Sequence, residues 1–174
     1  MLVVGLSSSG KSSVVHKMLP STHIGEKAPT LGVTLQIMTS VSKRKKTATE
    51  WTIFDMSGDD TGRLLWPHYY PTTQALVFVI DVSNTSASHF SVLHAEIKQM
   101  LLKLAKNPVP ICFFANKIDC REGADSPLRH SKVVDSAVSG TSGNQPYYGG
   151  GLGIAQFIQL LGLDEITDRK WSVL

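Results

Sequence analysis

Gly5-Leu6-Ser7-Ser8-Ser9-Gly10-Lys11-Ser12 is the stretch of this 174-residue chain that decides its fold. It fits the pattern G-x-x-x-x-G-K-[ST], in which glycines let the backbone wrap so that successive N–H groups point at phosphate oxygens. Residues 1–4 before it are apolar, as in a buried strand, and residues 12–19 after it can form a helix, whose N-terminus favours negative charge. The alternative is a Gly/Ser-rich turn that happens to precede a lysine, and the context of strand, loop and helix argues against it.

This loop predicts a phosphate site with a metal ion beside it. Lys11 would reach the terminal phosphates of a nucleotide, and the Ser12 hydroxyl would ligate Mg²⁺. The residues expected to bind the nucleotide along the loop and the first helical turn are Leu6, Ser7, Ser8, Ser9, Gly10, Lys11, Ser12 and Ser13.

Composition limits the chain to one compact α/β domain. An apolar content of 42% can fill one core, and a net charge of +3 is too mild to indicate nucleic-acid binding. Cys112 and Cys120 are not spaced as metal ligands are, and two cysteines are too few for a disulfide framework. This favours a reduced, cytoplasmic setting. The apolar runs are too short to span a bilayer.

Apolar runs alternate with helical patterns along the chain. The predicted strands lie at 33–41, 49–54, 75–81 and 111–115. A helix over 86–106 is predicted by apolar residues at spacings of three and four, namely Phe90, Leu93, Ile97, Leu101 and Leu104. The first two of these strands are joined through Lys43-Arg44-Lys45-Lys46, a basic hairpin tip that we interpret as a solvated turn in preference to a membrane or partner contact. The alternation predicts a mostly parallel sheet with helices on both faces and ligands at the carboxyl ends of its strands.

Polar residues at those strand ends extend the predicted site. Asp55 follows a strand and suits a carboxylate that holds Mg²⁺ through water, while the N–H of Gly58 suits a contact with a γ-phosphate. Thr30 is a second hydroxyl ligand for Mg²⁺, available only when the γ-phosphate draws its loop inward; the alternative is a turn threonine before Gly32. The predicted metal ligands are Ser12, Thr30 and Asp55.

Asn116-Lys117-Ile118-Asp119 fits N-K-x-D and predicts the base. The Asp119 carboxylate can accept hydrogen bonds from N1–H and the 2-amino group of guanine, while the stem of Lys117 packs on the ring. Adenine lacks both donors, and a buried group left unpaired costs about 1 to 3 kcal/mol. The predicted cofactors are therefore GTP or GDP with Mg²⁺, and the predicted base-binding residues are Asn116, Lys117 and Asp119.

With these residues assembled, the chain resembles the Ras-superfamily small GTPases, and within them the ADP-ribosylation-factor-like (Arf-like) branch. The stretches that carry the resemblance are Pro29-Thr30-Leu31-Gly32, Phe54-Asp55-Met56-Ser57-Gly58, Leu65-Trp66-Pro67-His68-Tyr69-Tyr70, Phe78-Val79-Ile80-Asp81 and Phe113-Phe114-Ala115-Asn116-Lys117. Most Arf relatives have glycine at the position of Ser57, and the serine here resembles a ciliary member of the branch at that position. The resemblance implies a P-loop NTPase small G-domain and a switch that, in its GTP state, recruits a membrane coat or ciliary cargo adaptor.

The resemblance also implies partners. An effector coat or cargo adaptor, with the BBSome as the candidate, would bind a surface built from Val33, Phe54, Trp66 and Tyr69. An exchange factor and an activating protein would control the nucleotide. The implied location is cytoplasmic and peripheral to a membrane, at the base of a cilium or flagellum, with no nucleic-acid partner.

Asp59 departs from the family pattern, because it stands at the catalytic position where the family has the glutamine that orients the attacking water. A shorter, anionic side chain near the γ-phosphate would orient water poorly and be repelled, so we expect weak GTP hydrolysis. An Asp59 that swings away and leaves this role to another group is the alternative. A GTP-bound scaffold without GTPase activity is a second hypothesis, and a nucleotide kinase is a third; a kinase would need an arginine-rich lid and has no use for N-K-x-D.

The two ends of the chain also depart from the family. Met1 lies inside the first strand, so we expect the N-terminal amphipathic helix of the family to be missing. Residues 136–140 superficially resemble the Ser-Ala motif that binds guanine O6, but residues 157–163 and 169–173 resemble the penultimate helix and the strand after it, and we favour this second register. It predicts a single GTP-binding domain over 1–174, with a flexible insertion at 120–151 and without the last helix.

Overall fold

A computed structural model describes residues 1–19, 30–41, 47–120 and 154–174. Within these residues six strands form one sheet in the order β2-β3-β1-β4-β5-β6. The strands are β1 (Leu2–Val4), β2 (Val33–Val41), β3 (Ala48–Met56), β4 (Leu76–Asp81), β5 (Ile111–Asn116) and β6 (Trp171–Val173). β2 pairs with β3 in antiparallel fashion and the other pairs are parallel, so the predicted mostly parallel sheet is confirmed.

Helices connect these strands. They are α1 (Lys11–Met18), α2 (Asp60–Arg63), α3 (Trp66–Tyr69), α4 (Ala87–Lys103) and α5 (Ile154–Leu160), with single 3₁₀ turns at Tyr70–Thr72, Ile118–Cys120 and Leu163–Glu165. In the tail, β6 lies within the predicted 169–173, while α5 begins and ends three residues before the predicted 157–163. Among the described helices, none combines the length and the apolar character that a bilayer crossing requires.

The bounds of α4 differ slightly from the predicted helix over 86–106. Ser86 is the N-cap, and its hydroxyl accepts a hydrogen bond from the backbone N–H of His89 at 3.3 Å. The helix ends at Lys103, three residues before the predicted end. Beyond it, the side-chain amide of Asn107 donates to the carbonyls of Tyr70 and Thr73 at 3.0 and 3.1 Å, which ties the chain after α4 to the turn at Tyr70–Thr72.

The parallel register brings the ends of four strands to one edge of the sheet. Val3 pairs with Asp55 on β3, Val4 pairs with Phe78 on β4, and Asp81 pairs with Asn116 on β5. The loop after β1 therefore starts beside the carboxyl ends of β3, β4 and β5, where an α/β sheet places its ligands.

Two hydrophobic clusters hold the sheet. The larger contains Phe78, which packs edge-on to Trp66 at a centroid distance of 6.1 Å and lies 6.2 Å from Phe113. The smaller lies on the opposite face and consists of Val3, Val15, Ile53 and Val79. Because successive strand side chains point to opposite faces, Val3 joins the second cluster while its neighbours Leu2 and Val4 join the first.

The expectation that Trp66 lies on the effector surface is wrong in this structure. The side chain is 1% exposed, and its indole N–H donates to the carbonyl of Ser57 at 2.9 Å. A large ring that is both enclosed and hydrogen-bonded belongs to the core. Val33 remains exposed, and Phe54 and Tyr69 are half-buried with their rings 5.3 Å apart.

Three features inferred from the sequence lie outside the described residues. They are the basic hairpin tip at 43–46, the Ser-Ala-like stretch at 136–140 and, apart from its first residue, the insertion at 120–151.

The orientation of α4 predicts contrasting effects of two substitutions on that helix. Ile97 is 1% exposed and Leu102 is 62% exposed. We expect Ile97→Ala to lower the free energy of unfolding by about 2 to 5 kcal/mol, because it leaves a cavity in the larger cluster. Leu102→Ala should change it by no more than about 0.5 kcal/mol. Urea unfolding followed by circular dichroism measures both, and equal losses would show that α4 is rotated from this orientation.

Candidate functional site

The loop between β1 and α1 is joined directly to the end of β5. The side-chain amide of Asn116 donates to the carbonyl of Ser9 at 2.8 Å, across 107 positions of sequence. Gly10 has φ 89°, and a Cβ at this position would overlap Asn116 Nδ2. Only glycine satisfies both the left-handed backbone and the close approach. One residue of the N-K-x-D stretch thus sets the shape of the loop.

Lys11 is a buried cation at the centre of this loop. It is 7% exposed, and its Nζ donates to the carbonyl of Leu6 at 2.9 Å. Burial lowers the pKa of Lys11 to about 8, although the negative charges of Asp55 and Asp59 act to raise it. Within the part of the chain that the structure describes, this ammonium group donates only to a backbone carbonyl, so it is well placed to bind an anion.

The other predicted loop residues differ in exposure. Leu6 and Ser9 are buried, while Ser7, Ser8 and Ser13 are exposed. Among the described residues, the buried Oγ of Ser9 has no hydrogen-bond partner. An unpartnered hydroxyl inside a loop of this pattern fits a bound phosphate, because a buried polar group without a partner is costly.

Ser12, Thr30 and Asp55, the three predicted metal ligands, meet beside the loop. The hydroxyl of Ser12 donates to Asp55 Oδ2 at 2.5 Å and lies 3.0 Å from the hydroxyl oxygen of Thr30. Asp55 is 1% exposed. Two hydroxyls and a buried carboxylate are hard oxygen donors, so this set fits Mg²⁺ in the company of water or phosphate oxygens.

Gly58 lies against the opposite side of the loop. A Cβ here would overlap the carbonyl oxygen of Gly5 and approach Lys11 Nζ to 2.6 Å, so only glycine permits this packing. The preceding residue is fixed as well, because the backbone N–H of Ser57 donates to the carbonyl of Gly32 at 2.7 Å. The segment that begins near Thr30 and the segment after β3 are therefore directly bonded to each other.

Lys117 is held in place by a residue that the sequence analysis missed. Its Nζ is 2.6 Å from Asp81 Oδ2 at the end of β4, and its backbone has φ 64°. Burial alone would raise the pKa of Asp81, but hydrogen bonds from Lys117 and Ser83 outweigh it and hold that pKa below its usual range. The position of Asp81 at a strand end was the available signal. Asp119 follows on an exposed turn.

Asp59 is the N-cap of α2. Its Oδ1 accepts hydrogen bonds from the backbone N–H of Gly62 at 2.5 Å and from the hydroxyl of Thr61 at 3.2 Å. The Gly62 N–H is the main cause of the lowered pKa of Asp59. Sequence reasoning missed this role, although aspartate ahead of a short helix is a favoured cap.

A cavity of about 610 Å³ adjoins the loop between α2 and the start of α4. Leu6 and Ser7 line one side of it, Asp59 and Arg63 a second, and His89 a third. The site therefore consists of the loop, the oxygen cluster of Ser12, Thr30 and Asp55, and Asn116 with Lys117 at the end of β5, and the cavity lies beside it.

Comparison with known proteins gives the same picture. The chain matches the profile of the ADP-ribosylation factor family over residues 1–142. It is 30% identical to ADP-ribosylation factor-like protein 6 of Danio rerio, in an alignment that spans 99% of this chain and 75% of that protein. Its structure is similar to that of the Arl6 BBS3 small GTPase from Trypanosoma brucei with the bound nucleotide analogue GppNp, with a TM-score of 0.67 and 26% identity over 100% of this chain and 84% of that one.

The pKa of Lys11 predicts how stability depends on pH in the ligand-free protein. Between pH 8 and about 10 the folded chain has released a proton from Lys11 that the unfolded chain, with the ordinary pKa of 10.5, still holds. The free energy of unfolding should therefore rise with pH in this window, by at most about 1.4 kcal/mol per unit, relative to that of Lys11→Met. Denaturant unfolding of both proteins from pH 7 to 10 measures the difference, and a difference independent of pH would contradict the assignment.

Proposed function

The chain belongs to the ADP-ribosylation factor family of small GTPases, and on this premise we propose that it is a GTP-binding switch that recruits a membrane coat or cargo adaptor in its GTP state. The observation that carries the proposal is the meeting of the phosphate loop, the oxygen cluster and the N-K-x-D stretch at one edge of the sheet. Each of these parts matches one component of a magnesium-bound guanine nucleotide: phosphates, metal and base.

We propose that the phosphates occupy the loop. Lys11 Nζ, which now donates to the carbonyl of Leu6, would turn to a phosphate oxygen, and the Ser9 hydroxyl would gain a partner. The residues that would contact the nucleotide here are Leu6, Ser7, Ser8, Ser9, Gly10, Lys11, Ser12 and Ser13. A charged phosphate would also keep Lys11 protonated, so the ligand and the buried ammonium group stabilise each other.

We propose that Ser12 and Thr30 hold Mg²⁺ with their hydroxyls and Asp55 holds it through water. When bound, the ion neutralises charge on the phosphate oxygens. Ser12 Oγ already lies within hydrogen-bond distance of both partners, which supports a shared ligand.

Two segments would sense the γ-phosphate in this proposal. The Thr30 hydroxyl belongs to one, the Gly58 N–H to the other, and the bond from Ser57 N–H to the Gly32 carbonyl joins them. Loss of the γ-phosphate removes a contact from each segment, so the two would rearrange together. Val33, Phe54 and Tyr69 lie next to these segments at the surface, and they are our proposed effector contacts.

Asp59 gives the proposed switch slow hydrolysis. Its carboxylate is engaged by the N–H of Gly62, so it is both shorter than glutamine and committed to capping α2. This observation also supports the second candidate, a GTP-bound scaffold that does not cycle. The two candidates differ in whether bound GTP is hydrolysed at all.

We extend the proposal to partners and place through the likeness to relatives named as the sixth ADP-ribosylation-factor-like protein. The effector would be a ciliary cargo adaptor, with the BBSome as the candidate, and an exchange factor and an activating protein would set the nucleotide state. The protein would act at a cytoplasmic membrane surface near the base of a cilium or flagellum.

Guanine selectivity tests the base site. The Asp119 carboxylate would accept two hydrogen bonds from guanine, and Asp119→Asn replaces one acceptor with a donor. We expect GTP and GDP to bind about 10 to 100 times more weakly to this variant, as one or two unpaired groups would cause. Fluorescent nucleotide titration measures this, with Asp164→Asn as a control that removes an exposed carboxylate elsewhere. Equal affinity in Asp119→Asn would rule out this residue as the base reader.

Hydrolysis of bound GTP tests the role of Asp59. In single-turnover measurements we expect Asp59→Gln to hydrolyse GTP at least about tenfold faster than the natural chain, because glutamine is longer and uncharged. Asp59→Asn is the matched control, since it keeps a good helix cap and removes only the charge. Acceleration by both variants would identify repulsion as the cause of slow hydrolysis. Equal, measurable rates in all three proteins would show that another group positions the water and that the switch cycles normally.

A further inference from the structure

We propose that Arg63 and Glu96 are a positioning pair that fixes Gly58 against the phosphate loop, so that binding of the γ-phosphate depends on a contact with α4. This inference rests on the proposed function, because that function gives the Gly58 N–H its role. Neither Arg63 nor Glu96 belongs to the loop, the oxygen cluster or the N-K-x-D stretch.

Arg63 links three elements through three nitrogen atoms. Nη1 donates to the carbonyl of Gly58 at 3.3 Å, Nε is 2.8 Å from Glu96 Oε1, and Nη2 is 2.7 Å from Asp60 Oδ1. The guanidinium group is a rigid planar fork, so fixing one arm orients the others. A guanidinium group held by Glu96 therefore restrains the Gly58 carbonyl from the side of α4.

Glu96 is a firm attachment point. It lies on α4 between Leu93 and Ile97, which are both 1% exposed and anchor the helix in the larger cluster. The side chains of Arg63 and Glu96 are 20% and 27% exposed, so their charge-assisted bond is better shielded than an ordinary surface ion pair. Burial, followed by the negative charge of Glu96, raises the pKa of Tyr70.

The segment from Ser57 to Trp66 is attached to the rest of the protein at both ends. At its start the Ser57 N–H donates to the Gly32 carbonyl, and at its far end Trp66 packs on Phe78. Bonds within the segment, such as those from Trp66 Nε1 to the Ser57 carbonyl and from the Gly62 N–H to Asp59, set its shape. Arg63 with Glu96 adds a link from the Gly58 carbonyl to α4, on top of the attachment through Ser57.

A selective effect on nucleotide binding follows. Gly58 would contact only the γ-phosphate, which GDP lacks, whereas the loop and the N-K-x-D stretch serve both nucleotides. Weakening the pair should therefore reduce affinity for the GTP form and spare affinity for GDP. A residue that merely stabilised the fold would affect the affinities for GTP and GDP equally.

The experiment compares GDP with the non-hydrolysable analogue GppNp by titration calorimetry in the presence of Mg²⁺. Arg63→Gln and Glu96→Gln should each lower the ratio of GppNp affinity to GDP affinity about tenfold, and the double variant should lower it no further, because the two residues act as a unit. Arg63→Lys should behave like Arg63→Gln, since an ammonium group cannot span Gly58 and Glu96 as a fork does. Asp60→Asn is the control: the Asp60 carboxylate, which pairs with Arg63 Nη2, is 93% exposed, and the ratio should stay within about twofold.

Each other outcome has a definite meaning. Equal losses of GDP and GppNp affinity, accompanied by a lower melting temperature, would overturn the positioning role in favour of general stabilisation. A normal ratio in Glu96→Gln, which changes one charge at nearly constant shape and does not depend on the Arg63 variants folding, would overturn the pair while leaving the proposed function intact. Failure of the unsubstituted chain to bind either nucleotide would overturn the proposed function and this inference together.

Discussion

The close approach of three backbone segments around the phosphate loop is the constraint on which the rest of the structure depends. Asn116 bonds to the carbonyl of Ser9, and a side chain at Gly10 or Gly58 would collide with its neighbour across the gap. Contacts this tight require β1, β3 and β5 to keep their register, because a shift of one residue would move every strand end by more than 3 Å. The parallel sheet and its two clusters therefore serve as the frame that holds the loop in place.

Two buried groups of opposite charge, Lys11 and Asp55, explain why the site is suited to an anion and a cation that lie side by side. Lys11 is buried and donates to the carbonyl of Leu6, and Asp55 is buried a short distance away beside two hydroxyls. In a medium of low dielectric constant, buried groups of opposite sign interact strongly, yet each also pays a desolvation cost. A ligand that presents phosphate to Lys11 and a metal ion to Asp55 would relieve both costs at once. Ligand binding and local stability should thus be tightly linked at this site.

Features that depend on residues close together in the sequence could be predicted, whereas several contacts between residues far apart in the sequence could not. The strands, the loop and the convergence of Ser12, Thr30 and Asp55 were predictable, because motifs placed near strand ends converge in a parallel sheet. The burial of Trp66, the pairing of Lys117 with Asp81 and the contact of Arg63 with Glu96 were not, since the last two join residues 36 and 33 positions apart. The burial of Trp66 and the contact of Arg63 with Glu96 depend on how α2, α3 and α4 pack, and no local pattern encodes that packing. The pair of Lys117 and Asp81 depends on the register of β4 with β5, in which Asp81 lies opposite Asn116.

Asp59 caps α2 and also stands where we expect the residue that orients the attacking water. Aspartate is among the best residues at a helix N-cap, whereas glutamine, which reaches farther, is a poor one. At the junction between the γ-phosphate region and α2, one side chain cannot serve both tasks equally well. Aspartate secures the start of the helix that carries Arg63, and Arg63 in turn reaches Gly58 and Glu96. In the proposed switch, the aspartate that would slow hydrolysis also caps the helix that carries Arg63, so both effects would lengthen the lifetime of the GTP state.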